Sequence, residues 1–338
     1  MSLHPIPSSL YESPPLHSAR AALRSRRSTE RLAPQHLIWP LFVREGVDQV
    51  TPIASMPSCA RVSIDRAIEQ AAEAACAGLA GIALFPVLPD HLKDPRGQES
   101  RNRDGLMPRA IRAMKAAVPD LLILSDVALD PYSSDGHDGV VINGEIDNDA
   151  TLPLLAEMAV VQAQAGADLV APSDMMDGRV GVIRRALDEA GYPQVGICSY
   201  AVKYASAFYG PFREALESAP RVGDKRTYQM DPANHREALR EIMLDEAEGA
   251  DWLMVKPGLP YLDIVSLVRG HSALPVAVYH VSGEYAMLKA AAAVGLFSYE
   301  EALLESLSAM HRAGADLIVT YGALDAARLM ASGPDSPE

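Results

Sequence analysis

Short apolar runs rich in branched residues alternate along this chain with longer stretches whose apolar positions recur at helical spacing. Eight such runs stand out: LIWPLFV (37–43), GIALFPV (81–87), LLILSDVAL (121–129), ADLVAPS (167–173), QVGICSY (194–200), ADWLMVK (250–256), PVAVYHV (275–281) and ADLIVTY (315–321). Between them lie Ala-, Leu- and Glu-rich stretches such as IDRAIEQAAEAACAG and LLAEMAVVQAQAG. The runs have the length of buried strands, and the stretches between them that of helices. The order helix, Gly-Ala-Asp, apolar run recurs at 166–168, 249–251 and 314–316. Glycine there suits a helix C-cap, and the aspartate falls in the turn before a strand. Eight strands alternating with helices predict an α/β chain folded as a (β/α)₈ TIM barrel with an extended N-terminal arm. A doubly wound open sheet fits less well, because no GxGxxG follows the first run. The expected boundaries are an arm over 1–36 with a short helix near Ala19–Arg26, a catalytic barrel over 37–330, and a tail over 331–338.

Such barrels carry their chemistry at the C-terminal ends of the strands. Lys256 ends the sixth run there. A lysine at that place is either ion-paired or holds a lowered pKa, because a lone buried ammonium is costly. Lys203 lies just beyond the fifth run, so both amines can project into one mouth, and two nearby ammoniums disfavour each other's charge. A neutral amine can attack a ketone and form an imine. At the end of the third run, Asp126, Asp130, Asp135 and Asp138 fall within 13 residues. Four carboxylates suit Mg²⁺ or another oxygen-seeking cation, or simply a solvated acidic loop; both readings stay open here. Asp126, within the strand end, suits an acid/base role. Ser173, Asp174, Ser282 and Tyr321 stand at other strand ends. The long stretch 204–232 carries Arg213, Lys225, Arg226 and Gln229 and reads as a lid that clamps an anionic substrate.

Composition narrows the field. In 338 residues 49% are apolar, enough for a large core, and no run approaches the ~20 residues that span a bilayer. The N-terminal stretch does not read as a secretory signal, and three scattered cysteines make no disulfide framework, so a cytoplasmic compartment is expected. A net charge of −14 argues against nucleic-acid or membrane partners. Only six of the 30 basic residues are lysines. Arginine cannot act as a nucleophile, whereas a desolvated lysine can, though a GC-rich genome would give the same bias.

Five segments, APSDMMDGR, SYAVKYASAFYGPFR, YQMDP, LMVKPG and VSGEYAM, occur in the order found in the porphobilinogen synthase family, also called 5-aminolevulinate dehydratase. From about residue 28 onward the chain resembles that family. The resemblance implies that two 5-aminolevulinate molecules condense, with Lys256 and Lys203 forming imines with the propionate-side and acetate-side substrates. It implies Ser282 and Tyr321 as ligands of the propionate-side carboxylate, and Arg213, Lys225 and Gln229 as lid ligands of the other. Asp126 and Ser173 would handle the amino group and protons, with Phe208 and Tyr209 also binding substrate. Zinc-dependent members place cysteines where Ala128, Asp130 and Asp138 stand, so no catalytic zinc is expected; Mg²⁺ or K⁺ at Asp130 and Asp138 is left open. Glu241 matches an allosteric Mg²⁺ ligand, against the plainer reading of a solvated helix glutamate. The family forms homo-octamers in which the arm wraps a neighbouring barrel, and the same is expected here. Departures are Asp135 for histidine, Arg101 for tyrosine, and Gly322 for a bulky aromatic, the last expected to loosen packing behind Tyr321. Two alternatives compete. One is another Schiff-base barrel of the class I aldolase type, opposed by TYGALD where a phosphate cup would stand; the other is a non-catalytic barrel, opposed by the lysine pair.

Overall fold

The apolar runs form eight parallel strands: β1 (Leu37–Arg44), β2 (Gly81–Val87), β3 (Leu122–Val127), β4 (Leu169–Pro172), β5 (Gly196–Lys203), β6 (Trp252–Lys256), β7 (Val276–His280) and β8 (Leu317–Thr320). They are hydrogen-bonded in chain order, and β8 returns to β1 through Leu37↔Ile318 and Ile38↔Val319, which closes the barrel. The computed structural model describes residues 17–26, 31–217 and 223–332. Helices lie between successive strands and cover the outside of the barrel, so most strand positions are buried.

The repeated Gly-Ala-Asp has a structural purpose at the base. Gly166 and Gly249 close their helices at φ +107 and +108, a conformation that glycine adopts without strain. Each following aspartate accepts the first free N–H of the preceding strand: Asp168 from Ile123 (2.8 Å), Asp251 from Ile197 (3.0 Å) and Asp316 from Val276 (2.9 Å). Each also pairs with a cation, Lys115, Arg20 with Arg24, and Arg269 respectively. A parallel barrel leaves strand-starting N–H groups without partners in its own ladder, and these carboxylates supply them.

The arm enters this scheme. Its helix, Ser18–Arg24, sits beneath its own barrel, with Arg20 and Arg24 on Asp251 and the Trp252 indole N–H donating to the Leu23 carbonyl at 3.0 Å. This part of the arm therefore finds its buried anion within the same chain. The rest of the expected arm, 1–16 and 27–30, lies outside the described residues, as do 218–222 of the lid and 333–338 of the tail. The final helix, Ala323–Ser332, carries two residues beyond the expected barrel boundary. Asp251→Ala would leave the Ile197 N–H without its acceptor and both arginines without their carboxylate, with only the Gly249 and Ala250 carbonyls to meet them. A loss of about 2 kcal/mol is expected in urea unfolding, with faster tryptic cleavage at Arg20 and Arg24. An unchanged midpoint and cleavage rate would contradict this account of the base.

Candidate active site

Lys203 and Lys256 end adjoining strands as direct register partners. That pairing depends on an irregularity. Between the pairs Ser199↔Leu253 and Val202↔Val255, β5 carries one residue more than β6. In an unbroken ladder Lys256 would face Val202, and Lys203 would point to the opposite side of the sheet. The bulge restores the phase, so both side chains enter the barrel mouth. Lys203 therefore belongs to the strand, not to the loop expected after Tyr200.

The two amines have different surroundings. Lys256 Nζ lies 4.5 Å from the Tyr279 ring centre, 4.9 Å from Phe212, 5.1 Å from Tyr200 and 5.2 Å from Tyr209. No carboxylate forms an ion pair with it among the described residues. Burial first, and Lys203 second, bring its pKa down from 10.5 to about 7, against the opposing pull of Asp126, Asp130 and Asp138. Lys203 donates to the Asp138 carboxylate at 3.2 Å and to the Ser173 carbonyl at 2.5 Å. Lys203 is thus ion-paired in this structure, because the acidic loop after β3 folds back over the mouth, and of the two amines it is Lys256 whose charge is disfavoured.

Asp126 accepts from the Ser173 hydroxyl at 2.7 Å. Burial, then Asp130, raise its carboxyl to about 7, opposed by Ser173, Lys203 and Lys256. Lys225 reaches down from the lid to Asp138 (2.6 Å) and Asp130 (3.1 Å). Burial disfavours its charge, but the two carboxylates outweigh burial and its pKa rises. Burial likewise works to raise Asp138, yet Lys203 and Lys225 together hold it below the usual carboxylate range. One aspartate thus joins the lid to the mouth.

Ser282 accepts from the Phe212 N–H (3.0 Å) and donates to the Phe208 carbonyl (3.3 Å), so the lid rests on the start of the helix after β7. A Cβ on neighbouring Gly283 would lie 2.5 Å from the Phe208 oxygen, a contact that only glycine permits. Arg61 donates to the carbonyls of Glu214 and Ala215 at 2.6 and 2.7 Å and closes the lid helix Gly210–Leu216. Tyr321 pairs its hydroxyl with Tyr279 at 3.1 Å, and the Tyr209 hydroxyl donates to the Lys256 carbonyl at 3.2 Å. Arg213, Lys225 and Gln229 line both the narrow space beside the lysines, about 30 Å³, and an outer cleft of about 740 Å³. The side-chain oxygen of Gln229, Oε1, is buried without a hydrogen-bond partner among the described residues.

Sequence reasoning misses the ring box around Lys256. Tyr200 and Tyr279 lie inside strands read only as apolar, and Phe212 lies within a motif read for its cation. A usable signal was present: the chain has only five phenylalanines, and Phe42, Phe85 and Phe212 pack together here.

The metal expectations fare unequally. Asp130 and Asp138 spend their oxygens on lysine ammoniums, and among the described residues no three His, Cys, Asp or Glu side chains gather as a metal cage. A cation held by these two aspartates would have to displace Lys225. Glu241 is half-buried on the helix His235–Glu248, where burial first, then Asp245 and Asp177, raise its carboxyl to about 7 against Arg179. Arg101 bridges to Glu157 (3.1 Å) and donates to the Arg96 carbonyl (3.1 Å), while Asp135 lines a separate cleft of about 860 Å³. Gly322 does not loosen its surroundings. The space that a side chain there would need is filled by Leu303 and by the Tyr299 hydroxyl, 3.0 Å from where its Cβ would stand.

Comparison with known proteins points in one direction. Residues 16–329 match the family model described as delta-aminolevulinic acid dehydratase. The chloroplastic delta-aminolevulinic acid dehydratase of Glycine max is 55% identical over 323 residues, 95% of this chain and 78% of the relative. That of Chlamydomonas reinhardtii is 53% identical, over 93% of this chain and 82% of its own. A crystal structure of the Toxoplasma gondii ME49 dehydratase in complex with its reaction product porphobilinogen superposes with a TM-score of 0.88 at 50% identity, covering 98% of this chain and 92% of that one. The curated relatives are named as chloroplastic, which overturns the expectation of a cytoplasmic enzyme.

Proposed function

Because the chain belongs to the delta-aminolevulinic acid dehydratase family, we propose that Lys256 and Lys203 carry its chemistry as a pair of imine-forming amines. The protein is a lyase of porphyrin biosynthesis: it condenses two molecules of 5-aminolevulinate to porphobilinogen with loss of two waters. The assignment of residues rests on one observation above all, the bulge-set register that faces Lys203 with Lys256.

Lys256 acts first, because burial already favours its neutral form. Its nitrogen attacks the ketone carbon of the propionate-side substrate, the ketone oxygen leaves as water, and an imine remains. Ser282 and Tyr321 hold that substrate's carboxylate. The second substrate presents its carboxylate to Arg213, Lys225 and Gln229. Drawing Lys225 away from Asp138 also remakes the contacts of Lys203, which then captures the second ketone with loss of the second water. One carbon–carbon and one carbon–nitrogen bond join the pair, both lysines return as amines, and loss of a ring proton gives the pyrrole. Asp126, poised near neutrality and held by Ser173, takes and returns protons. Fixing two identical molecules face to face supplies the proximity gain. Phe208 and Tyr209 close the lid over 204–232.

The family is metal-dependent. Ala128, Asp130 and Asp138 offer no thiolate, so they do not suit zinc, and the steps above are carried by side chains alone; Mg²⁺ or K⁺ would meet only Asp130 and Asp138 there, in competition with Lys225. Glu241, half-buried and near Asp177, would supply an oxygen ligand for an allosteric Mg²⁺. A homo-octamer in which the arm over 1–36 also wraps a neighbouring barrel is the assembly proposed.

The test is the pH profile of porphobilinogen formation by the purified protein, with and without chelator. kcat/KM should climb about tenfold per pH unit below ~7, as the Lys256 ammonium loses its proton, and then level. A profile already level between pH 5 and 7, falling only below about pH 5, would contradict the assignment of Lys256 as the attacking amine.

A further inference from the structure

Glu284 is fully buried within the start of the helix Ser282–Ala293, yet it belongs to no ion pair in the described residues. Its two oxygens accept three backbone N–H groups: Val281 at 2.6 Å, Leu259 at 2.5 Å and Gly258 at 3.3 Å. The first is ordinary, since a glutamate at this helical position commonly bonds back to the residue before the helix. The other two are not local. They belong to the loop that leaves β6 directly after Lys256 and Pro257.

The carboxylate thus joins two separate βα-loops. One follows Lys256, and the other begins with Ser282, on whose hydroxyl the lid backbone rests. Burying an unpaired carboxylate is costly, and three N–H donors make that burial tolerable only while both loops stay in place. Gly258 lies against Val278 and Met310, where an added Cβ would stand 3.1 and 2.9 Å away, so the loop has little freedom to adjust by itself.

We infer that Glu284 is a positioning residue for the Lys256 half of the site, fixing the spacing between the imine-forming amine and the Ser282 hydroxyl. The inference rests on the proposed roles of Lys256 and Ser282. The spacing matters because one 5-aminolevulinate must place its ketone on the first and its carboxylate on the second. Small misplacements of a reacting pair lower rates steeply. Lys203, on the neighbouring strand, makes no contact with Glu284 and is not governed by it.

The experiment uses the full-length protein, half-saturating 5-aminolevulinate, borohydride reduction, and peptide mapping of both lysines. Wild type is compared with Glu284→Gln, which keeps the volume but loses an acceptor oxygen. Glu284→Asp is the second variant: it keeps the charge and the local bond to Val281 but is too short to span to residues 258–259. Each variant should show a Lys256-to-Lys203 adduct ratio lowered roughly tenfold, with a raised KM and an unchanged circular dichroism spectrum. A ratio within twofold of wild type in a folded variant would overturn the inference. So would the failure of both variants to fold, which would make Glu284 a structural strut. A wild type that shows no adduct at Lys256 would overturn the Schiff-base reading beneath it instead.

Discussion

Replacing Lys256 by methionine is expected to lower porphobilinogen formation by at least about a thousandfold while leaving a barrel that melts at a higher temperature. Both halves of this outcome come from one fact, a lysine buried among four aromatic rings with no carboxylate paired to it. Methionine has nearly the same length and suits an apolar box, so the rings keep their places. What vanishes is the nitrogen, and Lys203, bound to Asp138 and the Ser173 carbonyl, serves the other substrate and cannot do both tasks. The stability gain follows from linkage. The amine binds its proton more weakly in the folded state, at about 7, than in the unfolded chain, near 10.5. Below about pH 7 the lysine is charged in both states and the folded state bears the full penalty, on the order of a few kcal/mol. Between 7 and 10.5 the penalty shrinks, and above that range it is gone. The gain in melting temperature should therefore be largest at neutral and acid pH and fade toward pH 10. A variant that melted lower than wild type at pH 7 would mean that Lys256 is charged and paired.

Asp138→Asn should have the opposite effect on stability. The asparagine fits the same space but cannot compensate Lys203 and Lys225, both of which place their ammoniums on this carboxylate. Removing one member of a buried ionic cluster costs about 3–5 kcal/mol. Asp138 titrates below its usual 3.8 in the folded state, so its stabilisation is present above that value and is lost as pH falls through the lower folded one. The gap between wild type and variant should be widest near pH 7 and narrow below pH 3.8. Lys225 keeps Asp130, but Lys203 keeps only the Ser173 carbonyl, so activity should fall as well. Equal thermal stability at pH 7 would show that the lysines have other compensation.

The barrel was legible in the chain because its evidence is local. Eight short apolar runs separated by helical periodicity determine strand order, and the recurring Gly-Ala-Asp marks the base. Lys256 could be placed at the mouth from its position after Leu253, Met254 and Val255. Lys203 was harder to place, since a single extra residue within β5 decides which way it points, and nothing in QVGICSYAVK announces a bulge. Composition revealed four carboxylates after β3 but not their partners. Lys225 comes from some 90 residues away, and its contact with Asp130 and Asp138 turns a plausible cation site into an ion-pair bridge. Glu284 drew no reading of its own within VSGEYAM for the same reason. Its significance lies in the N–H groups of another loop, a tertiary fact with no local trace.

The most direct measurement is a single-turnover trap. Wild-type protein is mixed with 5-aminolevulinate, quenched with borohydride within the first turnover, and digested for mass spectrometry. Substrate-derived mass should be found on the peptide bearing Lys256 at the earliest times and on the Lys203 peptide later, with both modified in some molecules. Reduced adducts on neither peptide, in protein that goes on to make product, would contradict the claim that two amines on adjoining strands perform the condensation.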